Sequence, residues 1–80
     1  MTVRYFFHLR NDTDEILDLE GSEMTGIEEA RAMALLAARD TLSHEMRAGH
    51  LNVRYRIDVE DERGRIVHTL PLGDAFEFIA

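Results

Sequence analysis

Apolar and polar positions alternate from the start of the chain: Val3, Tyr5, Phe7 and Leu9 fall on one side at period two, and Arg4, Phe6, His8 and Arg10 on the other. This is a β-strand with one core face and a second face that mixes an aromatic ring with guanidinium and imidazole groups, a surface suited to touching something. Turn formers Asn11-Asp12-Thr13-Asp14 follow, and Glu15 to Leu19 return as a short strand ending at Gly21, which makes a hairpin. Further on, Val53, Tyr55, Ile57 and Val59 alternate with Arg54, Arg56, Asp58 and Glu60, the clearest half-buried strand in the chain. Asp61-Glu62-Arg63-Gly64 reads as a tight turn with Gly64 at positive φ; Arg65 to Leu70 return as a fourth strand, and Pro71 ends it or marks an edge.

Between the hairpins the period changes. Thr25-Gly26-Ile27-Glu28 matches a capping box, Glu28 and Glu29 suit the positive end of a helix dipole, and the helix runs to about Ala48, closed by Gly49 in a left-handed conformation. Ile27, Ala30, Ala34, Leu35, Ala38, Leu42 and Met46 form one stripe, and its many alanines imply close approach to a sheet. Leu36 lies nearly opposite, so the back of the helix is a weak interface candidate. The tail from Asp74 to Ile79 is apolar enough to dock as an extra strand or a helical turn.

The resulting order is ββαββ, an α+β fold: a four-stranded antiparallel sheet, spatial order 2-1-3-4, with one long helix across one face. The other face is open and carries Arg4, Phe6, His8 and Arg10 beside Arg54, Arg56, Asp58 and Glu60. In a hairpin whose three-residue turn bulges at Gly64, Asp58 faces His68, a structural cross-strand pair before a catalytic dyad. The same register sets Ile66 and Leu70 beside Phe6, and apolar groups clustered on an uncovered sheet face mark an interface.

Arg4 to Arg10 (RYFFHLR), the acidic hairpin, the Glu-Glu-Ala-Arg-Ala helix start, the Asp-Glu-Arg-Gly-Arg turn and Leu70-Pro71-Leu72 together resemble a family of small bacterial proteins of unknown function. The resemblance covers nearly the whole chain and implies a fold without an activity. Thr25 to Ala34 is similar to the helix start of HicB-type antitoxins, which are partner-binding domains; that likeness covers one helix start, and the strand order differs.

Eighty residues form one domain, 1–80, with a single modest core that pairing with a second copy would extend. The formal charge of −7 argues against a general nucleic-acid footprint. Half of the sixteen acids sit within residues 11–30 (Asp12, Asp14, Glu15, Asp18, Glu20, Glu23, Glu28, Glu29), where no Lys or Arg occurs. Every strong base is Arg, and without cysteine there is neither disulfide nor thiolate metal site. No stretch reads as a signal peptide or a bilayer span, and the cytoplasm is the expected location.

Catalytic and metal patterns break at specific positions. His44-Glu45 opens like a zincin helix, but Ala48 stands where the second His must sit. Asp12, Asp14 and Asp18 lack the spacing and closing Glu of a calcium loop. No glycine-rich phosphate loop exists, and Ser22 and Ser43 have no readable base partner. The expectation is therefore a non-enzymatic interaction module without cofactor or metal. It self-associates, as a homodimer, or binds a protein partner through Phe6, His8, Ile66, Leu70, Phe76 and Phe78. The alternative is nucleic-acid or anionic-ligand binding through Arg4, Arg10, Arg54 and Arg56 with Phe6 as a stacking platform.

Overall fold

The computed structural model describes residues 1–77. Its elements are β1 (Val3–Arg10), β2 (Glu15–Ile16), β3 (Ser22–Met24), α1 (Ile27–Arg47), β4 (Arg56–Glu60), β5 (Ile66–Pro71) and a 3₁₀ turn, Leu72–Asp74. They form the expected α+β architecture: an antiparallel sheet ordered β2-β1-β4-β5, with the unanticipated short strand β3 also paired to β1. No helix among the described residues is long and apolar enough to cross a membrane.

β3 exists because the return segment of the first hairpin is broken. Leu9 pairs with Ile16 and Tyr5 with Ser22, so four steps along β1 are matched by six along its partner, and the surplus bulges out as residues 17–21. The single strand expected from Glu15 to Leu19 thus stops at Ile16.

The helix lies over the face that carries Tyr5, Ile57 and Val59. Ala30, Ala34 and Ala38 are fully buried, and Leu42 is 5% exposed, while Ile27 and Leu35 pack partly against the same core. Met46 departs from the expected stripe and is 67% exposed. It sits about 100° round the helix from Ile27, in the last turn, beyond the sheet-facing sector. The capping box does not form: Gly26 is the N-cap, without a side-chain bond, and the Thr25 hydroxyl instead donates to Glu29 at 3.0 Å. At the other end Gly49 has φ +90°, the left-handed stop expected there.

β4 begins at Arg56 rather than Val53, because the preceding residues are held as a turn. Glu45 on α1 accepts the Asn52 amide at 2.7 Å, and the Asn52 side chain accepts the Arg54 amide at 3.0 Å. Arg54 therefore leaves the sheet face assigned to it from the alternation.

The β4–β5 hairpin turns as expected, with Gly64 at φ +79° and the Asp61 carboxylate accepting the Arg63 and Arg65 amides at 2.9 and 3.0 Å. Backbone donation from Arg65 is the main reason the Asp61 carboxyl sits below its ordinary pKa. A second irregularity then shifts the register: Glu60 pairs with Ile66 but Val59 pairs with His68, leaving Val67 as an extra residue. Asp58 consequently faces Thr69, not His68, and Leu70 faces Ile57 on the core side, not Phe6 on the open side. Burial accounts for the slip, since it turns Leu70 inward and continues through the Leu72 amide, which donates to the Tyr55 carbonyl at 3.0 Å and leaves Leu72 fully buried. After the 3₁₀ turn, Ala75 is buried, its carbonyl accepting from Arg39 Nε at 2.8 Å, and Phe76 packs partly on the core. Phe78 and Ile79 lie outside the described residues.

Candidate functional site

Because side chains alternate along paired strands, the sheet face away from the helix presents three rows. Phe6, Glu60 and Ile66 form the first; His8, Asp58 and Thr69 the second; Arg10, Arg56 and Pro71 the third.

Asp58, 5% exposed, is the hub. Its carboxylate accepts from Thr69 Oγ1 at 2.8 Å, Arg10 Nη1 at 3.1 Å and Arg56 Nε at 3.1 Å, so one side chain ties β1, β4 and β5 together. Burial pushes its pKa up, but the bonds from Thr69, Arg10 and Arg56 outweigh this and hold it below the ordinary carboxylate value. Arg10 is also held by Glu15 at 3.0 Å, and the bond to Glu15, followed by that to Asp58, raises its pKa. Both central cations of the face are thus committed to carboxylates.

His8 is as deeply covered, 5% exposed, although no helix lies over it. The cover is the bulge at residues 17–21. His8 Nδ1 accepts the Asp18 amide at 3.1 Å, which places the ring proton on Nε2, 3.5 Å from Glu60 Oε1. The Asp18 carboxylate takes the place of the missing strand, accepting the Phe7 amide through Oδ2 and the Gly21 amide through Oδ1, both at 3.1 Å. Gly21, at φ +70°, rests on Phe6: a Cβ there would come within 2.8 Å of Phe6 Cδ2 and Cε2 and of the Tyr5 carbonyl oxygen. The Phe6 and His8 rings are parallel within 4°, centroids 6.4 Å apart. Arg4 completes the arrangement, donating to the Glu20 carbonyl at 2.7 Å and lying 3.4 Å from Glu23.

Of the residues singled out from the sequence, Phe6, His8, Ile66, Arg4, Arg10 and Arg56 share this face. Leu70 is on the core side, Arg54 is outside the sheet, Phe76 sits against the core beyond β5, and Phe78 is outside the described residues. Asp18 and Thr69 were not foreseen. Asp18 was legible only as one acid of a calcium-loop pattern whose spacing fails, and Thr69 depends on the register slip. Among the described residues every buried side-chain polar atom has a partner, and no group of three or more His, Asp or Glu is placed to hold a metal ion. A cleft of about 420 Å³ is lined by Leu9 of β1, Ile16 of β2 and, from α1, Asp40, His44 and Arg47.

Neither a curated protein nor a solved structure matches the chain. A family model does, over residues 4–73, nearly the entire length. The chain belongs to the DUF6894 family, a domain of unknown function.

Proposed function

We propose that this protein is a non-enzymatic interaction module of the bacterial cytoplasm that pairs with a second copy of itself through the open sheet face and its β5 border. The observation that carries this reading is the commitment of Arg10 and Arg56 to Asp58: the face offers no free central cation to a phosphate, yet it is fixed in shape before any partner arrives. Phe6 and the 45% exposed Ile66 flank Glu60 as apolar contacts within a polar surround, the composition of an interface. A domain this small also gains from burying more apolar surface than one helix can cover. The likeness of Thr25–Ala34 to the helix start of partner-binding antitoxins points to the same class.

Light scattering on the purified protein tests it, with a mass twice that of the chain expected. Phe6→Asp should return the mass to that of one chain while circular dichroism keeps its helical signal, because interface energy concentrates in aromatic anchors. A wild-type protein that stays monomeric at high concentration would overturn self-association. A salt-sensitive gain in mass on adding single-stranded RNA or DNA would move the assignment to the arginines.

A further inference from the structure

We infer that His8 is a pH-operated latch, and that protonating it releases the loop at residues 17–21 from the sheet and uncovers Phe6 and the Phe7 amide. The inference rests on the reading of the face as an interface only in what it says about Phe6; the latch itself stands on local geometry. In the closed state two contacts pin Asp18 to β1 and a third holds the loop's own shape, while Arg4 of β1 donates to the Glu20 carbonyl at 2.7 Å. The Asp18 amide donates to His8 Nδ1, and the Asp18 carboxylate accepts from Phe7 and from Gly21 within the loop. The first contact requires a lone pair on Nδ1. An imidazolium has none on either nitrogen, and turning the ring over does not supply one. Protonation therefore sets an N–H against the Asp18 N–H in a place where His8 is 5% exposed and water cannot readily substitute.

The charged groups around the ring come from each element packed against it. From β4, Glu60 Oε1 lies 3.5 Å from Nε2, and Asp58 is the register partner of His8. From the loop comes Asp18. The nearest cation on the same strand, Arg10, is already held by Asp58 and Glu15. β5 contributes only the uncharged Thr69 to this row. With carboxylates on the sheet side and a backbone donor on the loop side, a protonated His8 keeps its place and expels the loop. Gly21 then lifts off the Phe6 ring, and the exposed Leu17 and Leu19 move with the loop. The exposed apolar area at Phe6 is thereby set by pH.

The test follows amide protection by NMR hydrogen exchange in the full chain at about pH 7.5 and about pH 5.5, either side of the ordinary imidazole pKa, with rates corrected to intrinsic values. Protection at Phe7, Asp18 and Gly21 should fall about tenfold at the lower pH, the scale of one lost hydrogen bond, while β4 and β5 amides keep theirs. His8→Asn puts a carbonyl oxygen where Nδ1 stands and does not titrate in this range, so its loop should stay protected at both pH values. Loop protection that is unchanged while the His8 ring resonances titrate would overturn the latch, as would a pH response that survives in His8→Asn. So would an imidazole that stays neutral at the lower pH. If the variant does not fold, the wild-type comparison decides alone. Light scattering at both pH values separates this result from the proposed assembly: a monomer with a pH-sensitive loop retains the latch and loses the interface.

Discussion

Replacing Asp58 with Ala removes the side chain that joins β1, β4 and β5 on the open face. Three donors lose an acceptor: Thr69 Oγ1 at 2.8 Å, Arg10 Nη1 at 3.1 Å and Arg56 Nε at 3.1 Å. Breaking a buried charge pair costs about 3–5 kcal/mol when the partner stays buried. Here the figure is discounted, because Arg56 is 37% exposed and recovers solvation, and Arg10 keeps Glu15. About 2–4 kcal/mol remains, a large share of the 5–15 kcal/mol typical of a domain. Urea unfolding measures it. With a slope of about 1 kcal/mol per molar, the midpoint should drop by about 2–4 M, and the milder Asp58→Asn is run beside it. The amide still accepts from Thr69 but has no charge, and about half the loss is expected. The pH dependence identifies the cause. The native Asp58 carboxyl is held below its ordinary value, so its contribution is complete above about pH 5 and is lost as pH falls through the unfolded value near 3.9 towards the native one. Asp58→Asn should flatten that part of the acid limb. A midpoint within about 0.5 kcal/mol of wild type for Asp58→Ala, or an acid limb unchanged in Asp58→Asn, would refute the network's role.

Two further substitutions probe the parts that position the face. Leu42→Ala empties a core site under α1 that is only 5% exposed, and should cost about 2–5 kcal/mol in the same urea assay; a shift near zero would show that the helix packs on another stripe. Gly21→Ala forces a Cβ to 2.8 Å from the Phe6 ring at φ +70°, and should cost more than about 2 kcal/mol, whereas Gly49→Ala, at φ +90° with open space around it, should cost about 1 kcal/mol; equal losses would mean that Gly21 does not rest on Phe6.

The alternating runs and the alanine-rich stripe made most of this fold readable, because each obeys a single local period. Tyr5, Ile57, Val59, Ala34 and Leu42 all point where their spacing says they should. What escaped were the irregular backbone positions. The slip at Val67 is decided by burying Leu70 and Leu72 together, a tertiary gain that no short window contains, and it reassigns the partners of both Asp58 and His68. The bulge at residues 17–21 looked like continuous strand because Ile16, Leu17 and Leu19 are apolar, yet all three are substantially exposed. Its real signature was Asp18 three residues before Gly21, an acceptor for two amides followed by a residue that tolerates positive φ. Met46 fitted the stripe by hydropathy alone, at its angular margin. At the site, the sequence located Phe6, His8, Arg10, Arg56 and Asp58 on one face but not the bonds by which Asp58 neutralises the arginines, since those depend on side-chain reach across strands.

The broken return strand along β1 leaves the two borders of the sheet unequal. On one side stand β2 and β3, two and three residues long and separated by a bulge, too short and too bent to template a further strand. On the other side β5 runs six residues and pairs with no outer neighbour among the described residues. A chain with two competent borders could add copies without end and grow into fibrils. With one, an edge-to-edge meeting of two copies uses up the growing end of each, and polymerisation terminates at a two-fold pair.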